Sequence, residues 1–405
     1  MNTRRIFNLK RISTRLSVIL LIVLLLLPAC TRQLPPPTPV QLLIPTSTPQ
    51  PQPPRVEEIT FESGSFKIVG DLKMPGGKGP FPVVLFVHGS GPADRTGFGS
   101  YLPIMARMLQ AGYATFSWDK PGTGESTGTI DDRLLIQQRA QIILDAIEVL
   151  MARPDIDPRQ IGLWGISQAG YVMPQALSMS GDIAFMICDS CPAMPGNDQM
   201  AFQITAHALC KETPEDKADD KARLLAELEI AQTYETYGQY LHYREVLEDL
   251  ADLSSTSIDM YPVLSESDWL ENRPLDRGTW NPIRVIEQTG IPVLAIFGDR
   301  DRQIDPLQGA HAYQKALEHS GNPWSRVKLF PNANHGITIS ETGCPDQDSQ
   351  WVDQYVKTLG YGSVDEALAA LQNDPSNPEL LSKFPFAPGY LDLIEEWLRG
   401  LRKNH

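Results

Sequence analysis

Features that mark nucleic-acid-binding, membrane-spanning or cofactor-dependent proteins are scarce in this sequence. Positive charge is in short supply, with 35 Lys and Arg against 49 Asp and Glu over 405 residues, a formal net charge of −14. Such a surface repels phosphate backbones and anionic lipid heads, which argues against nucleic acid as a partner and against electrostatic docking to a membrane. The uncharged apolar stretch from Leu16 to Ala29 is only fourteen residues long, short of the roughly 20 that span a bilayer as a helix. No glycine-rich dinucleotide loop follows the first strand, no His/Asp cluster has metal-ligand spacing, and no internal repeat is present, so no cofactor is expected. Wholesale disorder is excluded by a composition that is 42% hydrophobic and 21% charged, which is that of a globular chain.

What the N-terminus does contain is an address. Arg4, Arg5, Lys10, Arg11 and Arg15 precede the short apolar run, and small residues follow it, which is the order of a secretory signal over residues 1–29. The run ends in Leu27-Pro28-Ala29-Cys30, which resembles the lipobox of bacterial lipoproteins and implies lipidation at Cys30. Loss of the signal removes five basic and no acidic residues, leaving 30 Lys and Arg against 49 Asp and Glu, a charge of −19. The expected location is extracytoplasmic, anchored to the bacterial cell membrane by the lipid. Residues 30–54 hold prolines 35, 36, 37, 39, 45, 49, 51, 53 and 54 among Thr, Gln and Ser, the composition of a semi-rigid spacer.

From Arg55 the pattern becomes strands and turns. Glu58 to Ser63 and Phe66 to Met74 come first, then Phe81 to Val87, apolar on every residue as a strand covered on both faces should be. Strands at Ala114–Trp118, Gln160–Ile166, Met186–Cys188, Val293–Phe297 and Val327–Phe330 alternate with helical spacing at Arg133–Ala152, Pro306–Glu318 and Tyr390–Leu401. This succession predicts a doubly wound, mainly parallel α/β sheet with antiparallel strands at its start. The pattern is interrupted from about Asn197 to Ile286, where Lys, Glu, Ala, Leu and Tyr dominate and segments such as Lys221–Tyr237 and Tyr240–Leu253 read as helices. A core in two parts, 55–196 and 287–405, with a helical cap inserted at 197–286, is therefore expected. Residues 344–384 fit as a loop-and-helix excursion.

The sharpest chemical signal is Gly165-Ile166-Ser167-Gln168-Ala169-Gly170 between a strand and an apolar helix. A serine at a strained strand-to-helix turn needs small residues two positions to each side, and Gly165 and Ala169 supply them. Pro174 in the helix that follows predicts a kink rather than a break. After the strand at 293–297 come three acids, Asp299, Asp301 and Asp305. After the last strand, Phe330-Pro331-Asn332-Ala333-Asn334-His335-Gly336 places a histidine in a turn. His207, His242, His311, His319 and His405 fall on helices or at the terminus and are read as incidental.

With these three regions in order, the chain resembles the α/β-hydrolase superfamily, nearest to its serine esterase and prolyl-oligopeptidase-like branches, over about residues 58–340 outside the insert, plus the final helix with Trp397. The resemblance implies a triad in the order Ser167, Asp301, His335, because in the family the acid stands three residues after the strand's glycine; Asp299 is the runner-up. It implies that His88-Gly89-Ser90-Gly91-Pro92 gives half of the oxyanion hole, through the N–H groups of Ser90 and of Gln168 after the nucleophile. His88 itself is read as a packing residue. Asp119-Lys120-Pro121-Gly122-Thr123-Gly124-Glu125-Ser126 looks like the superfamily's Asp-x-x-Gly-x-Gly-x-Ser turn and is read as structural.

Four cysteines lie outside the signal, Cys188, Cys191, Cys210 and Cys344, enough for two disulfides in an exported chain, with three pairings open. A bridge from Cys344 to the region of Cys191 or Cys210 would tie the cap over the site. The expected activity is hydrolysis of carboxylic esters, with a small to medium apolar acyl or aryl group, through an acyl-serine. Peptide or thioester cleavage on the same triad, an acyltransferase and a non-catalytic ligand-binding lipoprotein are the alternatives.

Overall fold

The computed structural model describes residues 55–211, 236–253, 263–272, 280–345 and 384–403, with a few positions between 357 and 370. The expected signal, Cys30 and the proline-rich spacer lie outside these residues, as do 212–235 of the insert and most of 344–384.

Eight strands form one sheet in the order β1-β2-β4-β3-β5-β6-β7-β8. They are β1 (Arg55–Ser63), β2 (Phe66–Met74), β3 (Phe81–Val87), β4 (Ala114–Trp118), β5 (Ile156–Ile166), β6 (Phe185–Asp189), β7 (Val293–Gly298) and β8 (Arg326–Phe330). β2 pairs antiparallel with β1 and with β4, and every other pairing is parallel. This is the mainly parallel sheet with an antiparallel start that the alternation of elements predicts. β5 begins at Ile156 rather than Gln160, because its register on β3 shifts between Phe81 and Val83 and an extended N-terminal portion still pairs, Phe81 with Ile156.

Both faces are covered, and β3 shows why its sequence lacks alternation. Val83, Leu85 and Val87 point into one core with α2 (Leu135–Met151), α3 (Ala169–Met179), α7 (Ile283–Gln288) and α8 (Pro306–Ser320). Val84 and Phe86 point into the other, with α1 (Leu102–Gln110) and α9 (Tyr390–Arg402). A strand buried on both sides gains from apolar residues at every position. The amphipathic α9 closes its face with Tyr390, Leu391, Ile394, Trp397, Leu398 and Leu401.

Between β6 and β7 the described residues form α4 (Gly196–Cys210), α5 (Tyr237–Leu253) and α6 (Glu266–Asn272) ahead of α7, and no strand. α5 and α6 have a small apolar centre of their own, in which Tyr237, Tyr240 and Trp269 pack ring to ring. Two disulfides pair the four cysteines: Cys188 with Cys191, and Cys210 at the end of α4 with Cys344, 134 residues away. α3 runs continuously through Pro174.

Candidate active site

The chain crosses from one face of the sheet to the other between β3 and β5, and the crevice beyond the carboxyl ends of such strands is where open α/β sheets bind ligands. Ser167 stands there, at the turn from β5 to α3, with φ 59, a backbone conformation that costs a non-glycine residue on the order of 1–3 kcal/mol. Its N–H is tied to the carbonyl of Asp189 at 3.0 Å, and its carbonyl accepts from Gly170 at 2.8 Å. The small neighbours are a steric necessity. A Cβ added at Gly165 would lie 2.6 Å from Cβ of Ala169, and one at Gly170 would lie 2.5 Å from Cβ of Cys191.

Ser167, Ser90 and Gln168 line one cavity of about 300 Å³. Its apolar wall includes Leu135, Ile136, Tyr171, Pro192, Met200 and Ile304, and three amides, Gln199, Gln203 and Gln303, complete it. Among the described residues, no charged side chain lines it. The loop from β3 closes on the serine from above: a Cβ at Gly89 would lie 3.4 Å from Cβ of Ser167. The Ser90 and Gln168 N–H groups are given to no main-chain carbonyl among the described residues outside the regular elements, and Gln168 caps α3, where helical N–H groups lack partners.

Asp301 and His335 meet at 2.8 Å, Oδ2 to Nδ1. The other oxygen of Asp301 accepts the N–H groups of Gln303 (2.7 Å) and Ile304 (3.0 Å), so the carboxylate is held on three sides and fully enclosed. With Nδ1 donating to the acid, Nε2 is the nitrogen left to take a proton. The two loops are locked to each other by Asp299 N–H to Phe330 O (3.0 Å) and Arg300 N–H to Ala333 O (2.8 Å). Gly298 makes that approach possible, since a Cβ there would overlap the carbonyls of Ala333 and Asn334. Among the described residues no hydrogen bond joins Ser167 to His335. Such contacts are commonly long in unliganded sites and tighten with substrate.

The competing acids have other employment. Asp305 caps α8, accepting from Leu307 and Gln308 at 3.1 and 3.0 Å. Asp299 is exposed, beside Arg300 at 3.9 Å. His88 is buried, with Nε2 donating to Trp118 O at 2.6 Å and Tyr101 within 3.3 Å of Nδ1, and burial pushes its pKa down to about 3, so it stays neutral. Asp119 accepts from Arg95 and from the Glu125 N–H, closing the turn that follows β4.

Three buried groups near the site were not singled out from the sequence. Asp189, at the end of β6, accepts from Trp164 Nε1 at 2.9 Å and from the Tyr390 hydroxyl. Burial outweighs those bonds and pushes its pKa up to about 7. Lys120 and Arg139 lie under the loop after β3, and burial pulls them down to about 7 and about 10.

A strained serine and a carboxylate-imidazole pair beyond the carboxyl ends of a doubly wound sheet are parts of a hydrolase site. The sequence profile of the alpha/beta hydrolase family matches residues 84–347, and the chain belongs to that family. A curated relative, the thiohydrolase aneE of Aspergillus aculeatus, is 29% identical over 119 residues; the match covers 28% of this chain and only 36% of that protein. Solved structures that it resembles include an esterase of Pyrococcus furiosus (17% identity, TM-score 0.43, 75% of this chain and 90% of that one). A proline iminopeptidase of Mycobacterium smegmatis (16%, 0.41, 75% and 98%) and a 2-hydroxy-6-oxo-6-phenylhexa-2,4-dienoate hydrolase of a Rhodococcus species (16%, 0.42, 76% and 100%) are further examples.

Proposed function

We propose that this protein is a serine hydrolase that cleaves small, uncharged carboxylic esters through an acyl-serine intermediate. The observation that carries the reading is Ser167, held at φ 59 on the wall of the same cavity as Ser90 and Gln168. Strain of this kind persists only where the surroundings enforce it. In the proposed reaction His335 Nε2 takes the Ser167 proton as Oγ attacks the acyl carbon, and Asp301 holds the ring by Nδ1 and stabilises the imidazolium. The N–H groups of Ser90 and Gln168 receive the oxyanion. The C–O bond to the alcohol breaks as His335 returns the proton to the leaving oxygen, and water repeats the cycle on the acyl-serine.

The uncharged lining favours this substrate class. Among the described lining residues a free α-ammonium group meets no carboxylate and an acid meets no cation, so each would be desolvated there without a charged partner. Thioester cleavage is the second reading, supported by the thiohydrolase relative and using the same acyl-serine.

Residues 197–286 serve as the cap in this reading, with Gln199, Met200 and Gln203 of α4 forming part of the acyl pocket. The chain is exported, cut before Cys30 and lipidated there. Two disulfides support that placement, since they persist in oxidising compartments.

The test is hydrolysis of p-nitrophenyl esters from acetate to decanoate by the full chain and by Ser167→Ala. The expected result is turnover by the first, with an optimum at short acyl length, and its loss in the second. Equal rates in both would remove Ser167 as nucleophile, and turnover of acyl thioesters alone would favour the second reading.

A further inference from the structure

Two cations are buried under the loop that follows β3, and the reaction written above uses neither. Lys120, just after β4, is 7% exposed, and Arg139, on α2, is 5% exposed. Neither forms an ion pair with a carboxylate among the described residues. Burying an uncompensated cation is costly, so what their N–H groups do instead is informative. Of their four side-chain hydrogen bonds among the described residues, three go to the loop after β3. Lys120 Nζ donates to the carbonyls of Gly89 (3.0 Å) and Gly91. Arg139 Nη2 donates to the carbonyl of His88, and its Nη1 donates to Oε1 of Gln168 at 2.6 Å.

These contacts have a geometric consequence. A trans peptide is planar, and its C=O and N–H point in opposite directions. The carbonyl of Gly89 and the N–H of Ser90 belong to one peptide, so drawing that carbonyl down to Lys120 turns the Ser90 N–H up, away from Lys120. Arg139 acts on the other coordinate. Its planar, two-pronged guanidinium joins the loop that carries one donor to the residue that carries the other, and so fixes the spacing between the two halves. The Gly89 carbonyl cannot rotate without breaking the Lys120 bond, and the Gln168 side chain cannot swing without leaving Arg139.

We propose that Lys120 and Arg139 are a positioning pair that sets the oxyanion hole, Lys120 aiming the Ser90 N–H through the Gly89 carbonyl and Arg139 fixing the loop after β3 to Gln168. The proposal rests on the serine-hydrolase reading and names what prepares its site. It also accounts for a lysine in a turn that otherwise serves only to reverse the chain.

The test uses the full chain with Lys120→Met, Lys120→Arg and Arg139→Lys. Active sites are counted by the end-point of an organophosphonate titrant, kcat and KM are measured on a short p-nitrophenyl ester, and the inhibition constant is measured for an alkylboronic acid that mimics the tetrahedral intermediate. Loss of an oxyanion donor typically costs about 100-fold or more in kcat. Lys120→Met is expected to lose about that much per titrated site with KM within about threefold of wild type, and to lose boronate affinity in proportion. Lys120→Arg is expected to restore most of the loss, and Arg139→Lys, which keeps the charge but not the fork, to lose about tenfold. A purely structural role would lower the melting temperature and the titrated fraction but leave kcat per site unchanged, and that result overturns the proposal. If Lys120→Met cannot be obtained folded, Arg139→Lys is judged by the same criteria. Wild-type turnover with unchanged kcat per site in the variants defeats this inference alone, whereas no wild-type turnover on any acyl substrate defeats the hydrolase reading and the inference with it.

Discussion

At the scale of single residues, the site depends on groups whose environment decides their charge. Asp189 is the clearest case. It is buried, one oxygen accepts from Trp164 and Tyr390, and the other has no partner, so the neutral form is favoured and the pKa rises to about 7. Because the folded state keeps a proton that the unfolded chain gives up near pH 4, linkage makes stability fall as pH rises from about 4 to about 7. Asp189→Asn, which keeps an acceptor oxygen and cannot ionise, removes that slope. Urea unfolding at pH 4.5 and 7.5 is expected to show wild type losing about 3 kcal/mol relative to the variant over that interval. An unchanged difference would mean Asp189 ionises normally. The places of Ser167 and His335 at their turns were legible from the sequence because they are defined locally, by small neighbours around the serine and turn residues around the histidine. The roles of Lys120, Arg139 and Asp189 were not, because nothing local distinguishes a buried cation or acid from an exposed one. Arg139 lies in a helix with Gln137, Gln138 and Gln141 close by, and only the packing of α2 against the sheet shows that it faces the loop after β3.

Elements were legible to different degrees. β3 could be placed because seven successive apolar residues are expected only of a strand covered on both faces. α1 was not foreseen: its nine residues follow a glycine-rich loop and include a proline in the first turn, where proline is compatible with a helix but gives no periodic signal. The pairing of the cysteines also required the fold, since four cysteines allow three arrangements. The chosen one joins α4, which lines the cavity, to the segment nine residues beyond His335, and in doing so closes a loop spanning β7, α8 and β8. Closing so long a loop limits the unfolded chain, and Cys210→Ser with Cys344→Ser is expected to cost about 4 kcal/mol in chemical unfolding. A midpoint equal to that of wild type would show that the bridge does not form in solution.

For the whole molecule, the mainly parallel, doubly wound sheet with its antiparallel start followed from the alternation of elements, whereas the strand order β1-β2-β4-β3-β5-β6-β7-β8 required the fold. The proposed anchoring belongs to this scale as well. A chain of charge −19 after loss of its signal has no electrostatic reason to stay at an anionic membrane, so retention would depend on the lipid. The intact mass of the membrane-fraction protein is expected to correspond to residues 30–405 plus acyl chains. A mass that keeps residues 1–29, or a Cys30→Ser protein that still fractionates with membranes, would contradict lipid anchoring at Cys30.

The central claim is that acyl groups pass through Ser167. Quenching the full chain with acid during turnover of a short p-nitrophenyl ester, and locating the acyl group by peptide mass spectrometry, tests it most directly. The account predicts acylation on the peptide containing Ser167 and none in Ser167→Ala. An acyl group found on another residue, with Ser167→Ala turning over at the wild-type rate, would contradict it.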